Sequence, residues 1–170
     1  MDNKYIVACE LLEQNKLDDA YQTFLAIIQE DDKNYMAFNK LGVTCARQHK
    51  LEEAKDNLNS ALKINPDYAP TIVNIGNLEL EKGNHQSAID YYKDAIDRDK
   101  TYHMAYYNMA VAYKSMGNLD EYFKFYKQYK QHYKQHLNNE EKAHSVILRS
   151  KALKFSGIAI AILVLFFVFR

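Results

Sequence analysis

The chain has no tryptophan, only two prolines, two cysteines and five glycines in its 170 residues. Such a scarcity of helix breakers, with 48% hydrophobic residues, suits an all-helical chain rather than a strand-rich one. Cys9 and Cys45 have no partner pattern, which excludes a disulfide framework and leaves two buried structural thiols as the plain reading. There is no Gly-rich phosphate loop and no nucleophile elbow, so the patterns that carry phosphoryl or acyl transfer are missing. His132 and His136 stand four apart without a third ligand and read as surface histidines, not a metal site. The opening Met1-Asp2-Asn3 runs straight into patterned sequence and leaves no stretch for a signal or transit peptide. The length suffices for one domain with a core that needs no staples.

What is present is a repeat. Shifted by 34 residues, the sequence falls on itself. Ala8, Gly42, Gly76 and Ala110 share a column of small residues, preceded by Val7, Leu41, Ile75 and Met109. Ala20, Ala54 and Ala88 form a second small column, and Phe24, Leu58, Tyr92 and Tyr126 a large one. Small residues mark where helix backbones approach, and large ones fill the gaps between them. In residues 35–68 the first helix runs to about His49, Lys50-Leu51 turns, and Leu51–Ile64 forms a second helix with apolar residues at helical spacing. Asn65-Pro66-Asp67 stops it. Gly83-Asn84 and Gly117-Asn118 mark the same turn in later copies. Neither helix pair buries its apolar face alone, so neighbours must stack.

These columns resemble the tetratricopeptide repeat (TPR) family over units 1–34, 35–68, 69–102 and 103–136. The resemblance implies an all-α fold, a right-handed superhelix of four helix-turn-helix units. The fourth unit departs: Tyr122 stands in the Ala20 column, and Tyr129 where two units carry Ala61 and Ala95. It reads as a terminal unit whose second helix meets something other than another repeat. The first unit has Lys4 where a bulky residue is usual, as at a fraying end. After the repeats, residues 137–154 read as an amphipathic capping or juxtamembrane helix, capped by Asn138 or Asn139. Its stripe of Ala143, Val146, Ile147 and Leu153 would cover Tyr122, Tyr126, Tyr129 and Tyr133; lying on the bilayer is the rival reading.

Residues 155–169 carry no charge between Lys154 and Arg170. They read as a short transmembrane tail anchor, with Ser156-Gly157 the weakest point of the helix. The length alone would also suit a buried core helix, but Ile158–Phe169 is apolar all round, and a repeat stack offers no place to bury it. Charge is divided: residues 1–121 hold 13 basic against 20 acidic residues, and residues 122–170 hold 9 against 2. The basic end adjoins the tail, as a membrane-facing segment should. Arg149, Lys151 and Lys154 outnumber Arg170, which keeps the repeats on the cytoplasmic side. The layout is similar to that of the mitochondrial fission-adaptor family and of bacterial inner-membrane repeat proteins, so both the mitochondrial outer membrane and the bacterial inner membrane stay open.

The resemblance also implies a concave groove lined by the first helix of each unit. There Asn74 and Asn108 share a column with Lys40; Asn39, Asn77, Arg47 and Lys114 flank them, and Val43, Val73, Tyr107 and Val111 supply apolar contact. Amides at the repeat step would bind the backbone of an extended peptide, resembling an asparagine ladder. The plain alternative for these amides is ordinary exposed helix residues. Lys127, Lys130 and Lys134 form a basic stripe too short, beside acidic repeats, for nucleic acid. The expectation is a non-enzymatic, membrane-tethered adaptor with a protein partner and no cofactor. Its competitor is a fixed accessory subunit of a membrane complex, with groove and tail packed against other subunits.

Overall fold

The structure, a computed structural model, describes the backbone of residues 3–168 and the side chains of residues 3–146. Among the described residues eight helices follow one another: α1 (Asn3–Glu13), α2 (Leu17–Glu30), α3 (Tyr35–Arg47), α4 (Leu51–Ile64), α5 (Ala69–Glu81), α6 (His85–Arg98), α7 (His103–Ser115) and α8 (Leu119–Val168). The second helices begin at Leu17, Leu51, His85 and Leu119, and the first helices of the later units at Tyr35, Ala69 and His103, each step equal to the sequence period. Among the described residues there is no strand. The chain divides into one compact unit, Met1–Lys130, and a second, Gln131–Arg170.

Two turns repeat with the same period. Between the helices of each pair one residue takes the left-handed conformation: Asn15 (φ 58°), His49 (φ 60°), Gly83 (φ 81°) and Gly117 (φ 75°). Two units use glycine there, and two tolerate the conformation with a side chain, which only residues such as Asn and His do at moderate cost. Between pairs, α2, α4 and α6 end on extended Asp31, Asn65 and Asp99. Each of these side chains accepts from the backbone N–H two residues on, at Lys33, Asp67 and Thr101. That local bond holds the chain out of the helix and aims it at the next pair.

The small columns are where the helices touch. Ala8, Ala20, Ala37, Ala54, Ala61, Ala88, Ala95 and Ala110 are wholly buried. A methyl group at Gly42 would stand 2.7 Å from Leu58 Cγ, and one at Gly76 2.6 Å from Tyr92 Cε1. Phe24, Leu41 and Leu58 fill one apolar cluster, and Ile72, Ile89, Tyr92 and Met109 a second. Burial pushes the Tyr92 phenol far above its ordinary pKa, so it stays protonated and donates to Asn77 Oδ1 at 2.9 Å. At the first unit, α1 is helical from Asn3, and Lys4 ties it to α2 through Glu30 rather than marking a frayed end.

The end of the chain differs from the sequence reading. No separate helix starts at Asn138 or Asn139; these residues continue α8, and His136 pairs with Glu140 one turn on, at 3.3 Å. The reason is local: residues 118–156 contain no proline and no glycine after Gly117, and asparagine lowers helix propensity too little to end a helix by itself. From Glu140 onward the helical backbone runs unbroken through Ser156 and Gly157, as expected of a helix continuing into the tail. Val146, placed in the covering stripe, is 62% exposed; Ile147 and Leu153 lie outside the described side chains. The tyrosines of α8 are met instead by one another and by α7. Tyr122 stacks on Tyr126 at 5.6 Å, Tyr126 meets Tyr129 at 5.7 Å, and Tyr129 reaches Tyr107 at 5.1 Å and His103 at 6.1 Å. Among the described residues no helix is long and apolar enough to cross a membrane. The side chains of 155–169, on which the anchor expectation falls, lie outside them.

Candidate protein-binding groove

The first helices α3, α5 and α7 are joined side by side by a relay of amides. Asn39 of α3 is buried, 3% exposed, and its Oδ1 accepts from Thr71 Oγ1 at 3.0 Å and from Asn74 Nδ2 at 2.9 Å, both on α5. One unit further, Asn77 Oδ1 of α5 accepts from Asn108 Nδ2 of α7 at 2.9 Å, as well as from Tyr92. Each amide oxygen thus satisfies two donors from neighbouring helices. Bonds of this kind are short-ranged and directional, so they fix the register of three helices that the apolar contacts alone would let slide.

This arrangement changes the roles the sequence suggested. Asn74 and Asn108 do share a column on the groove side, but one amide hydrogen of each is already given to the neighbouring helix. Asn39 is an interior acceptor, not a groove residue. Val73, expected as apolar contact, is 2% exposed and belongs to the core. Arg47 Nη1 donates to the carbonyl of Leu12 at 2.9 Å, a carbonyl at the end of α1 that also accepts from Asn15 N–H at 3.1 Å, and so ties α3 to α1. Lys114 lies over the Tyr122 ring at 5.6 Å, and Tyr107 over Tyr129, so both serve the α7–α8 contact. Lys40 and Val111 are half-buried on the first-helix faces.

A cleft of about 320 Å³ opens between α3 and α5. Val43, Ala46, Leu58 and Leu78 give it an apolar floor beside Gly42; Asn74, Asn77, Arg47, His49 and Glu81 stand around it. His49 Nδ1 and Glu81 Oε1 face each other at 3.9 Å across its mouth. The sequence reading found Val43, Arg47, Asn74 and Asn77 here and missed Ala46, His49, Leu78 and Glu81. A signal existed for Glu81, which is the residue one period after Arg47. None existed for His49, which reached the cleft by way of a turn residue. Among the described residues no group of acidic, His or Cys side chains could hold a metal ion.

Comparison with known proteins agrees with this geometry. Two family profiles, both described as tetratricopeptide repeat, match residues 33–101 and 91–121. The human tetratricopeptide repeat protein 6 is 30% identical over 113 residues, 65% of this chain and 22% of that protein. A probable UDP-N-acetylglucosamine–peptide N-acetylglucosaminyltransferase SPINDLY of Arabidopsis thaliana is 29% identical over 58% of this chain and 11% of its own length. The photosystem I assembly protein Ycf3 of Cyanophora paradoxa is 27% identical over 53% of the chain and 54% of its own. The chain therefore spans about a tenth to a half of these relatives. Among solved structures, MamA superposes with a TM-score of 0.64 at 21% identity, covering 79% of each chain. An O-GlcNAc transferase mutant of Thermobaculum terrenum superposes with a TM-score of 0.61 at 21% identity, over 65% of this chain and 21% of that one. At such identity the likeness is one of fold.

Proposed function

The chain belongs to the tetratricopeptide repeat family, and from that premise we propose that it is a non-enzymatic adaptor that binds another protein and is tethered to a membrane. Its α3–α5 cleft receives a segment or helix of a protein partner, and residues 155–169 supply the tether. The observation that carries the groove half is the cleft itself. It has an apolar floor large enough for one or two side chains, framed by polar groups on helices locked in register, and such pockets with few convergent polar groups are where ligands bind. An apolar side chain of the partner enters between Val43, Ala46 and Leu78. The remaining amide hydrogens of Asn74 and Asn108, with Asn77 between them, meet its backbone. Lys40 on α3 and Val111 on α7 extend the surface to either side.

The tether half rests on sequence: Ile158–Phe169 contains ten Leu, Ile, Val or Phe residues and no charge. Each favours insertion by about 0.3–0.6 kcal/mol at mid-span. The basic residues before the stretch keep the repeats cytoplasmic, and mitochondrial outer and bacterial inner membranes both suit it.

The test of the cleft is Ala46→Arg, which fills it from a half-buried helix position. Partners are captured by cross-linking to the anchored wild-type chain, identified, and then titrated against both purified forms. A loss of affinity of tenfold or more with helicity unchanged is expected; equal affinity would move recognition off this cleft. For the tether, the wild-type chain should resist alkaline carbonate extraction, while Val164→Arg, which costs about 2.5–3.5 kcal/mol at mid-span, should release part of it. Full release of the wild type ends the membrane reading.

A further inference from the structure

The repeat array has two unlike edges, and we propose that they bind each other: a second copy of the chain stacks its α1 edge on the α8 edge of the first, head to tail. In the later units one face of the first helix is wholly enclosed. It is Ala37, Leu41 and Thr44 in α3, Thr71, Ile75 and Leu78 in α5, and Ala105, Met109 and Ala112 in α7, none more than 3% exposed. What lies beside each first helix is the second helix of the unit before, α2 on α3, α4 on α5 and α6 on α7. In α1 the same three places are Asn3, Val7 and Glu10, all exposed, Val7 to 43%.

The second helices show the complementary row. Leu17, Tyr21 and Ile28 of α2 pack against the core, as do Leu51 and Leu62 of α4, while in α6 Ile89 is wholly buried and Ile96 packs beside it; Lys55 and His85 take the two remaining places. At the matching places α8 carries Leu119, 54% exposed, Phe123, 63% exposed, and Lys130. Met116, in the turn just before, is 49% exposed. The bulky Tyr122, Tyr126 and Tyr129 turn toward α7 and one another, and leave this outer row uncovered.

The occupant follows from the symmetry. Moving the array by one period carries the α8 edge onto α2, α4 or α6, and at the centre of the surface those helices cover α1 presents Val7 in the column of Leu41, Ile75 and Met109, flanked by the polar Asn3 and Glu10. The interface already built three times within the chain is therefore repeated between copies. Charge adds a modest bias: residues 1–34 hold eight acidic and three basic residues, whereas residues 116–130 hold Lys124, Lys127 and Lys130 against Asp120 and Glu121, and with Lys124 paired to Glu121 the positive excess lies at Lys127 and Lys130. Because the two surfaces differ, the contact does not close on itself and adds copies in a row. Asn3 and Glu10 keep the α1 edge hydrated when empty, so the association is concentration-dependent and weakens with salt.

Sedimentation equilibrium of the full chain in density-matched detergent tests this, with Val7→Asp on one edge and Phe123→Asp on the other. The wild type should gain mass with concentration and lose it with salt. Either variant alone should sediment as one chain, since every contact needs both edges. An equimolar mixture should form a one-to-one dimer and nothing larger, because one intact edge of each kind remains. Thermal melts should match the wild type; if Val7→Asp lowers its own, Val7→Ser replaces it. A wild type that stays monomeric overturns the proposal. So does association that survives Val7→Asp, which would mean a symmetric Phe123 contact or a contact through the tail, and so does a mixture that stays monomeric.

Discussion

Replacing Gly42 by alanine should destabilise the chain, although the same change in an exposed helix stabilises it. On propensity alone, alanine gains about 1 kcal/mol over glycine inside a helix. Here the added methyl would stand 2.7 Å and 2.8 Å from Leu58 Cγ and Cδ2, and 3.1 Å from the carbonyl oxygen of Ala54. Carbon atoms prefer roughly 3.5–4.0 Å, so something must move by close to 1 Å. Leu58 is 1% exposed and can yield only by shifting in the floor of the cleft it lines, and the Ala54 oxygen belongs to the backbone of α4. Forcing a methyl into such a contact costs about 1–3 kcal/mol. The sum is a net loss of roughly 0–2 kcal/mol for Gly42→Ala, and a larger one for Gly42→Leu. Urea unfolding in detergent, followed by circular dichroism, measures it. The decisive experiment adds Leu58→Ala. Alone, that change should cost about 2–5 kcal/mol; with Gly42→Ala present it should cost less by about 0.5–3 kcal/mol, since the clash is removed with the side chain. Gly42→Ala stabilising by its full propensity gain, and adding independently to Leu58→Ala, would refute close approach as the reason for glycine here.

His49→Gly should stabilise by up to about 1 kcal/mol, since His49 holds a left-handed φ of 60°, whereas Gly83→Ala and Gly117→Ala should each lose about 1–2 kcal/mol in the same unfolding assay. Asn39→Ala should cost about 1–3 kcal/mol by leaving Thr71 and Asn74 without their shared acceptor, while half-buried Asn108→Ala should cost clearly less; equal costs would deny the relay its role. Burial pushes the Cys45 thiol up to about 11 from 9.0, and burial likewise pushes the Tyr102 phenol up to about 12. Both folded values lie above the unfolded ones, so their contribution is whole below about pH 9 and is lost as pH rises through about 9–12; melts at pH 8 and at pH 10.5 should differ in that direction. Iodoacetamide should label Cys45 only on unfolding.

Sequence by itself determined the helix pairs, their period and their close contacts. Spacing along a helix is a local property, so Gly42, Gly76 and the alanines announce backbone contact wherever the helices go, and Asn65-Pro66-Asp67 ends a helix in any context. Sequence also flagged Tyr122 and Tyr129 as foreign to their columns. Only the tertiary structure decided that the amides face one another. Asn74 and its acceptor Asn39 lie 35 positions apart, and no periodicity says whether a polar side chain meets solvent, a ligand or the next helix. The same holds for the cleft: His49 sits in a turn in sequence and at a groove mouth in space. The edges show the limit most plainly. Val7 and Leu41 are alike in sequence and occupy one column, yet one is exposed and the other enclosed, because burial depends on which helix lies alongside, and that is a property of the stack.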